Sequence, residues 1–176
     1  MNQDLRDLAE MNPDLISIAP AVPSDLPTIN DIYNYYVLNS TATYQEEPET
    51  LESRQAWFDR HGPAHPVTVA RIGSTIAGWA SLSPYHPRSA YRRTVECSVY
   101  VDSSNHRRGL GRALMVDLIS RARAAGHHSI IALIDAEQAP SLALHESLGF
   151  ARVALLREVG FKLGRWLDVI YMQLML

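Results

Sequence analysis

The stretch from Ser98 to Arg112 restricts the fold of this chain more than any other. Ser98-Val99-Tyr100-Val101 is β-branched and aromatic and reads as a strand. Asp102 to Asn105 then lead into His106-Arg107-Arg108-Gly109-Leu110-Gly111-Arg112. From Gly109 to about Ala125, Leu110, Ala113, Leu114, Leu118 and Ile119 recur at helical spacing, and Gly126 ends the run. Ser129 to Ile134 follows as a continuous apolar strand, expected to be buried on both faces. This β-loop-α-β unit predicts an α/β chain.

The turn inside the unit also carries a chemical expectation. Backbone N–H groups at a helix start are unsatisfied and lie at the positive end of the helix dipole, and glycine lets a phosphate approach the main chain. Arg107, Arg108 and Arg112 add charge-assisted donors, so the turn suits a pyrophosphate. Two nucleotide motifs are excluded. A P-loop needs Gly-Lys followed by Ser or Thr, where this chain has Gly111-Arg112-Ala113. A dinucleotide fingerprint needs a third glycine where Leu114 stands.

The remaining segments alternate between strand-like and helical patterns. Ile16 to Ala19 reads as a strand, and Ser24-Asp25 can cap a helix through Leu26, Ile29, Ile32, Tyr33 and Tyr36. A polar linker, Asn39 to Thr50, precedes a second helix with Leu51, Trp57 and Phe58. Val67 to Ile72 and Ile76 to Leu82 flank Gly73-Ser74 as a hairpin, and Val95 to Val101 is a further strand after an exposed loop, Pro84 to Arg93. A short helix, Pro140 to Leu148, closes at Gly149. Phe150 to Leu156 and Asp168 to Leu174 are expected as the last strands, around a basic glycine-containing loop. Residues 1–14 read as a polar extension and residues 15–176 as one domain, a size that suits a single core.

Composition narrows the function classes. There are 16 Lys plus Arg against 19 Asp plus Glu, a net charge of −3, so no overall positive field is available to hold nucleic acid. The longest clean apolar run, Ile130 to Ile134, is far short of the roughly 18 residues of a spanning helix, which predicts no membrane partner. The polar start lacks the basic and apolar segments of a secretory signal. The single cysteine, Cys97, leaves no internal disulfide, and a cytoplasmic location is expected. His127 and His128 are adjacent and diverge, and His61 and His65 have no nearby carboxylate spacing, so no metal is expected.

"SVYV", "HRRGLGRAL" and "SLALHESLGF" together resemble the acyl-CoA-binding core of the GNAT family of N-acetyltransferases. "RSAYRRTVECSVYV" and "LREVGFKLGRWLDVIYMQL" are similar to its phosphinothricin and methionine sulfoximine acetyltransferase branch, extending the resemblance from about Ile16 to Leu174. The resemblance implies an α/β single domain with a mixed sheet of about six to seven strands flanked by helices. It further implies acetyl transfer from acetyl-CoA to the primary amine of a small amino acid analogue, without an acyl-enzyme. Two departures stand out: His106 replaces the usual Gln or Arg that opens the glycine turn, and Gln138 replaces an Asn before the last core helix.

On this resemblance Val99, Tyr100 and Val101 pair with the pantetheine arm, Arg107, Arg108, Gly109, Leu110, Gly111 and Arg112 surround the pyrophosphate, and Gln138 and Ser141 complete the cofactor side. Glu96 falls at the position of the branch's catalytic glutamate, and strand alternation places it with Ser98 and Tyr100. It must take a proton from the ammonium, so its pKa has to rise or a water has to relay. His145 falls where an acid can protonate the departing thiolate. On the acceptor side the resemblance implies Tyr44, Arg88, Tyr91, Val95 and Cys97 beside Glu96, with Arg88 supplying the cationic fork and Tyr44 closing over the acceptor with Thr41. Cys97 also reads as a small core residue, and Trp57, Trp79 and Trp166 as packing residues. A homodimer is implied as well. The rival readings are acetylation of a peptide or another amine, and a catalytically silent acetyl-CoA-binding module.

Overall fold

The computed structural model describes residues 15–176, and the extension read over residues 1–14 lies outside the described residues. Seven strands form one mixed sheet in the order β1-β2-β3-β4-β5-β7-β6. Strand β1 is Ile16–Pro20, β2 Val67–Ile72, β3 Thr75–Pro84, β4 Thr94–Val101, β5 Ser129–Asp135, β6 Ala151–Lys162 and β7 Arg165–Met175. Four helices flank it: α1 Leu26–Asn39, α2 Leu51–Phe58, α3 Leu110–Ala124 and α4 Ala139–Ser147.

Neighbouring strands run antiparallel except β4 and β5, which are parallel and joined by the α3 crossover. On one sheet face α3 buries Leu110, Leu114, Met115, Leu118 and Ala122 against Ala70, Ala80, Leu82, Val95 and Ile130. On the other, Leu26, Ile29 and Ile32 of α1 cover Val69 and Trp79. Fully buried side chains of this kind each contribute about 1.5–3 kcal/mol, enough in aggregate to fix the sheet between two helical layers. Thr50 caps α2 by accepting a hydrogen bond from the Ser53 N–H.

Three expectations are corrected. The basic segment after Leu156 is no loop: β6 and β7 run to Lys162 and from Arg165, joined only by Leu163-Gly164. Strand β6 is the sheet edge, and its charged Arg157 and Glu158 fall in a bulge between Leu156 and Gly160, on both sides of which it pairs with β7. Strand β5 is not buried on both faces throughout, because Leu133 is 40% exposed where the sheet opens. Trp166 is 62% exposed on the edge hairpin and packs in no core, whereas Trp79 is buried.

Candidate active site

Strands β4 and β5 pair only at Thr94 with Ser129, Val95 with Ile130 and Glu96 with Ile131. Beyond Glu96 they separate, although β4 stays paired with β3 as far as Val101. The separation opens a cleft of about 980 Å³ lined by Val99, Tyr100 and Val101 on one side and Ala132, Leu133 and Ile134 on the other. Each side presents strand backbone that has lost its neighbour, which suits an extended, amide-bearing ligand arm.

The mouth of the cleft is the turn before α3. Gly109 holds φ +83°, a left-handed conformation that side-chain-bearing residues rarely adopt, and no side chain caps α3. Its first N–H groups are therefore free to bind an anion. Arg107, Gly109, Leu110, Gly111 and Arg112 line the cleft; Arg108 does not, and donates to Asn105 Oδ1 at 3.2 Å. His106 lies within 2.7 Å of the Tyr36 hydroxyl, which donates to the Val101 carbonyl. The departure at position 106 thus ties the turn to α1, and Tyr36 is a cleft residue that helical spacing alone marked only as core. Gln138, Ser141 and His145 close the α4 side, with Gln138 Nε2 donating to Thr41 Oγ1 at 3.1 Å. These groups fit the thioester, pantetheine and pyrophosphate parts of acetyl-CoA.

Glu96 lies where the strands part, half-buried, and burial raises its carboxyl pKa above the ordinary value. His145, on α4, is 2% exposed. Its Nδ1–H donates to the Ser141 carbonyl at 2.8 Å, and its Nε2 faces Cys97 Sγ at 3.9 Å. Burial lowers its pKa against the upward pull of the Ser141 carbonyl. Burial therefore favours the neutral imidazole with its proton on Nδ1, and in that form Nε2 can accept a proton but has none to give. The resemblance implies an acid at this position, a role that the neutral form does not fill. A nitrogen-detected NMR titration checks it: His145 is expected to protonate at a lower pH than an ordinary histidine and to show the Nδ1–H tautomer while neutral.

Tyr44 does reach the cleft. Its hydroxyl is shared between Asp135 Oδ2 and the Asp168 carbonyl, both at 3.2 Å, and burial followed by Asp135 raises its pKa. Its ring lies where a Cβ on Gly160 would stand, only 2.6 Å from Cε2, so the linker packs directly on β6. Lys162 fastens the same linker, donating to the carbonyls of Tyr36, Ser40 and Thr43 at 3.4, 2.8 and 2.7 Å.

The other acceptor-side residues are placed differently. Arg88 and Tyr91 lie exposed on the loop between β3 and β4, where Tyr91 packs on His86, and neither lines the cleft. Val95 is fully buried toward α3, because β4 alternates and its odd positions face that core. Cys97 reaches the cleft wall, but burial pushes its thiol up to about 12, which leaves it unreactive.

A smaller cavity of about 310 Å³ lies on the α2 side and shares Glu96 with the cleft. Arg54 lines it, a residue sequence reasoning passed over; a cation three residues before Trp57 on a short helix was the available signal. Among the described residues no group of three or more His, Cys, Asp or Glu side chains is placed to hold a metal ion.

Comparison with known proteins agrees with this geometry. Residues 29–150 match the Acetyltransferase (GNAT) family. The L-methionine sulfoximine/L-methionine sulfone acetyltransferase of Pseudomonas aeruginosa is 44% identical over 160 residues, 90% of this chain and 93% of that one. The L-amino acid N-acyltransferase MnaT of Escherichia coli is 40% identical, over 92% of this chain and 94% of that one. A phosphinothricin acetyltransferase from Sinorhizobium meliloti, solved in complex with AcCoA, superposes with a TM-score of 0.88 at 37% identity, covering 92% of this chain and 88% of that one. A sheet parted beside a glycine-arginine helix start, matched over most of its length by proteins of one kind, places the chain in the GNAT acetyltransferase family.

Proposed function

We propose that the protein transfers the acetyl group of acetyl-CoA directly to the primary amine of a small amino acid analogue of the methionine sulfoximine, methionine sulfone or phosphinothricin type. The observation that carries this is the position of Glu96, at the vertex of the cleft and in the wall of the adjoining cavity. The relatives' names supply the acceptor class.

Acetyl-CoA supplies an activated thioester carbonyl, whose C–S bond breaks as the amine nitrogen bonds to carbon. Arg107, Arg112 and the α3 N–H groups hold the pyrophosphate end, and the parted main chain of β4 holds the pantetheine. Glu96 takes the ammonium proton, directly or through water, so that the nitrogen lone pair is free to attack. His145 Nε2 is a second proton acceptor on the opposite face of β4; the leaving thiolate takes its proton from the amine as the C–N bond matures. Tyr44 closes the acceptor side.

The exposed apolar side chains Val153, Leu155, Val159, Phe161 and Trp166 on the β6–β7 hairpin support a homodimer through that edge. The single, buried cysteine supports a cytoplasmic setting.

Thiol release from acetyl-CoA tests the reading, with methionine sulfone, methionine sulfoximine and phosphinothricin offered beside lysine, spermidine and a peptide. Turnover is expected to favour the first three by at least about tenfold in kcat/KM, a difference that one well-placed charged hydrogen bond supplies. Preference for the peptide or for spermidine would replace the acceptor. Acetyl-CoA binding without any turnover would return a silent module.

A further inference from the structure

The smaller cavity holds a buried cation that no carboxylate touches, Glu49 acting on it only from beyond ion-pair distance. Arg54, on α2, is 4% exposed. Its Nε donates to Asn30 Oδ1 at 3.2 Å, and its guanidinium carbon lies 4.5, 4.8 and 5.7 Å from the ring centres of Tyr33, Trp57 and Trp79. The rings favour a cation but accept no in-plane hydrogen bond. Arg54 Nη2 is buried without a partner, and so is Trp79 Nε1. Both residues line this cavity.

Among the described residues no carboxylate lies within 4.0 Å of the guanidinium. Glu49, also in the cavity wall, is occupied by Gln45 Nε2 at 2.9 Å. A guanidinium does not discharge by losing its proton, and a buried donor left unpaired is costly. Two orphan donors buried behind the wall of one cavity, on residues that line it and one of them charged, therefore call for an oxyanion that the wall would admit. The neighbour is Glu96, which lines this cavity and the cleft alike. In an α-amino acid the carboxylate is one carbon removed from the amine, so the two groups must be received by adjoining parts of the protein.

We propose that this cavity is the carboxylate subsite of the acceptor, in which Arg54 Nη2 and Trp79 Nε1 donate to the α-carboxylate while the amine rests against Glu96. The assignment rests on the acceptor reading given above and explains why such an acceptor is an amino acid rather than a plain amine. It also moves the anion-binding role from the surface residue Arg88 to a buried one. Arg54 is a binding and positioning residue; no bond to it forms or breaks.

Steady-state kinetics at saturating acetyl-CoA compare methionine sulfone with its decarboxylated analogue, 3-(methylsulfonyl)propylamine. The wild type is expected to show a KM at least about tenfold lower for the amino acid. Arg54→Lys keeps the charge but loses the fork, and is expected to raise the KM for methionine sulfone roughly tenfold to hundredfold while leaving that of the amine, and the Kd for acetyl-CoA, unchanged. An equal rise for both acceptors would reveal a merely structural arginine and overturn the proposal. A selective rise from Arg88→Ala with Arg54→Lys silent would overturn it in favour of the outer loop.

A second readout needs no turnover. The Trp79 indole N–H resonance, assigned by Trp79→Phe, is expected to shift saturably on titration of the wild-type protein with sodium acetate. That shift supports the subsite even where every acceptor fails, in which case the fault lies with the acceptor reading alone. An indole resonance that acetate does not move overturns the subsite, whether or not Arg54→Lys folds.

Discussion

Glu96→Gln is expected to lower kcat by about 10²–10⁴-fold, the ordinary contribution of a positioned base, while acetyl-CoA binds as in the wild type. The exchange removes a proton acceptor and changes little in shape. Because burial raises the Glu96 pKa, its ionised and competent form is lost earlier than usual as pH falls. Wild-type kcat/KM should therefore climb with pH through that raised value, and the climb attributable to Glu96 should be missing from the variant. Rates measured from pH 5 to 9, beside acetyl-CoA affinity by calorimetry, read both effects. A variant that retains the wild-type rate throughout would remove Glu96 from the chemistry and leave His145 Nε2, on the other face of β4, as the remaining acceptor.

Lys162→Met is expected to have the largest effect on stability among single side-chain exchanges outside the hydrophobic clusters. Lys162 is 2% exposed and its ammonium is spent on the carbonyls of Tyr36, Ser40 and Thr43, at the end of α1 and in the linker beyond it. Methionine fills a similar volume and donates nothing, so those carbonyls lose their shared donor. A cost of about 2–4 kcal/mol follows from charged hydrogen bonds of this kind, which for a chain of this size lowers Tm by roughly 5–15 °C. The same carbonyls belong to the segment that carries Tyr44, so KM for the acceptor should rise along with the loss of stability. Thermal unfolding followed by circular dichroism, with kinetics at a temperature where the variant is folded, separates the two. An unchanged midpoint would mean that water replaces the ammonium without penalty.

The central unit was legible because everything it needs is local. Strand, turn, helix and strand follow one another from Ser98 to Ile134, and each is announced by periodicity or by a glycine whose backbone conformation has a stated purpose. Gly109 carries its meaning wherever the rest of the chain lies. The edge hairpin was not legible, because Arg157, Glu158, Lys162 and Arg165 read as a loop until the topology shows β6 to be a sheet edge.

Within the site, side-chain direction was the part that residue type and spacing did not carry. Alternation along β4 puts Glu96 on one face with Ser98 and Tyr100, and by the same rule turns Val95 into the core beneath α3. Arg88 lies near Glu96 along the chain but exposed on its loop, whereas Arg54 is more than forty residues away in sequence and shares a cavity with it. A burial like that of Arg54 depends on three aromatic rings drawn from α1, α2 and β3, and no sequence window contains all of them.

Among the described residues, three residue pairs between β4 and β5, with the bonds that the His128 and Ser129 N–H groups give to the Arg93 carbonyl at their start, form the short seam that joins the β1–β4 half of the sheet to the β5–β7 half. An extended ligand lying along the parted strands stands in for the rungs that the protein itself omits. Occupancy and cohesion are then one property: the loaded molecule is a sheet completed by its own substrate, and the empty one is held together within the sheet by a short stitch that ends at Glu96.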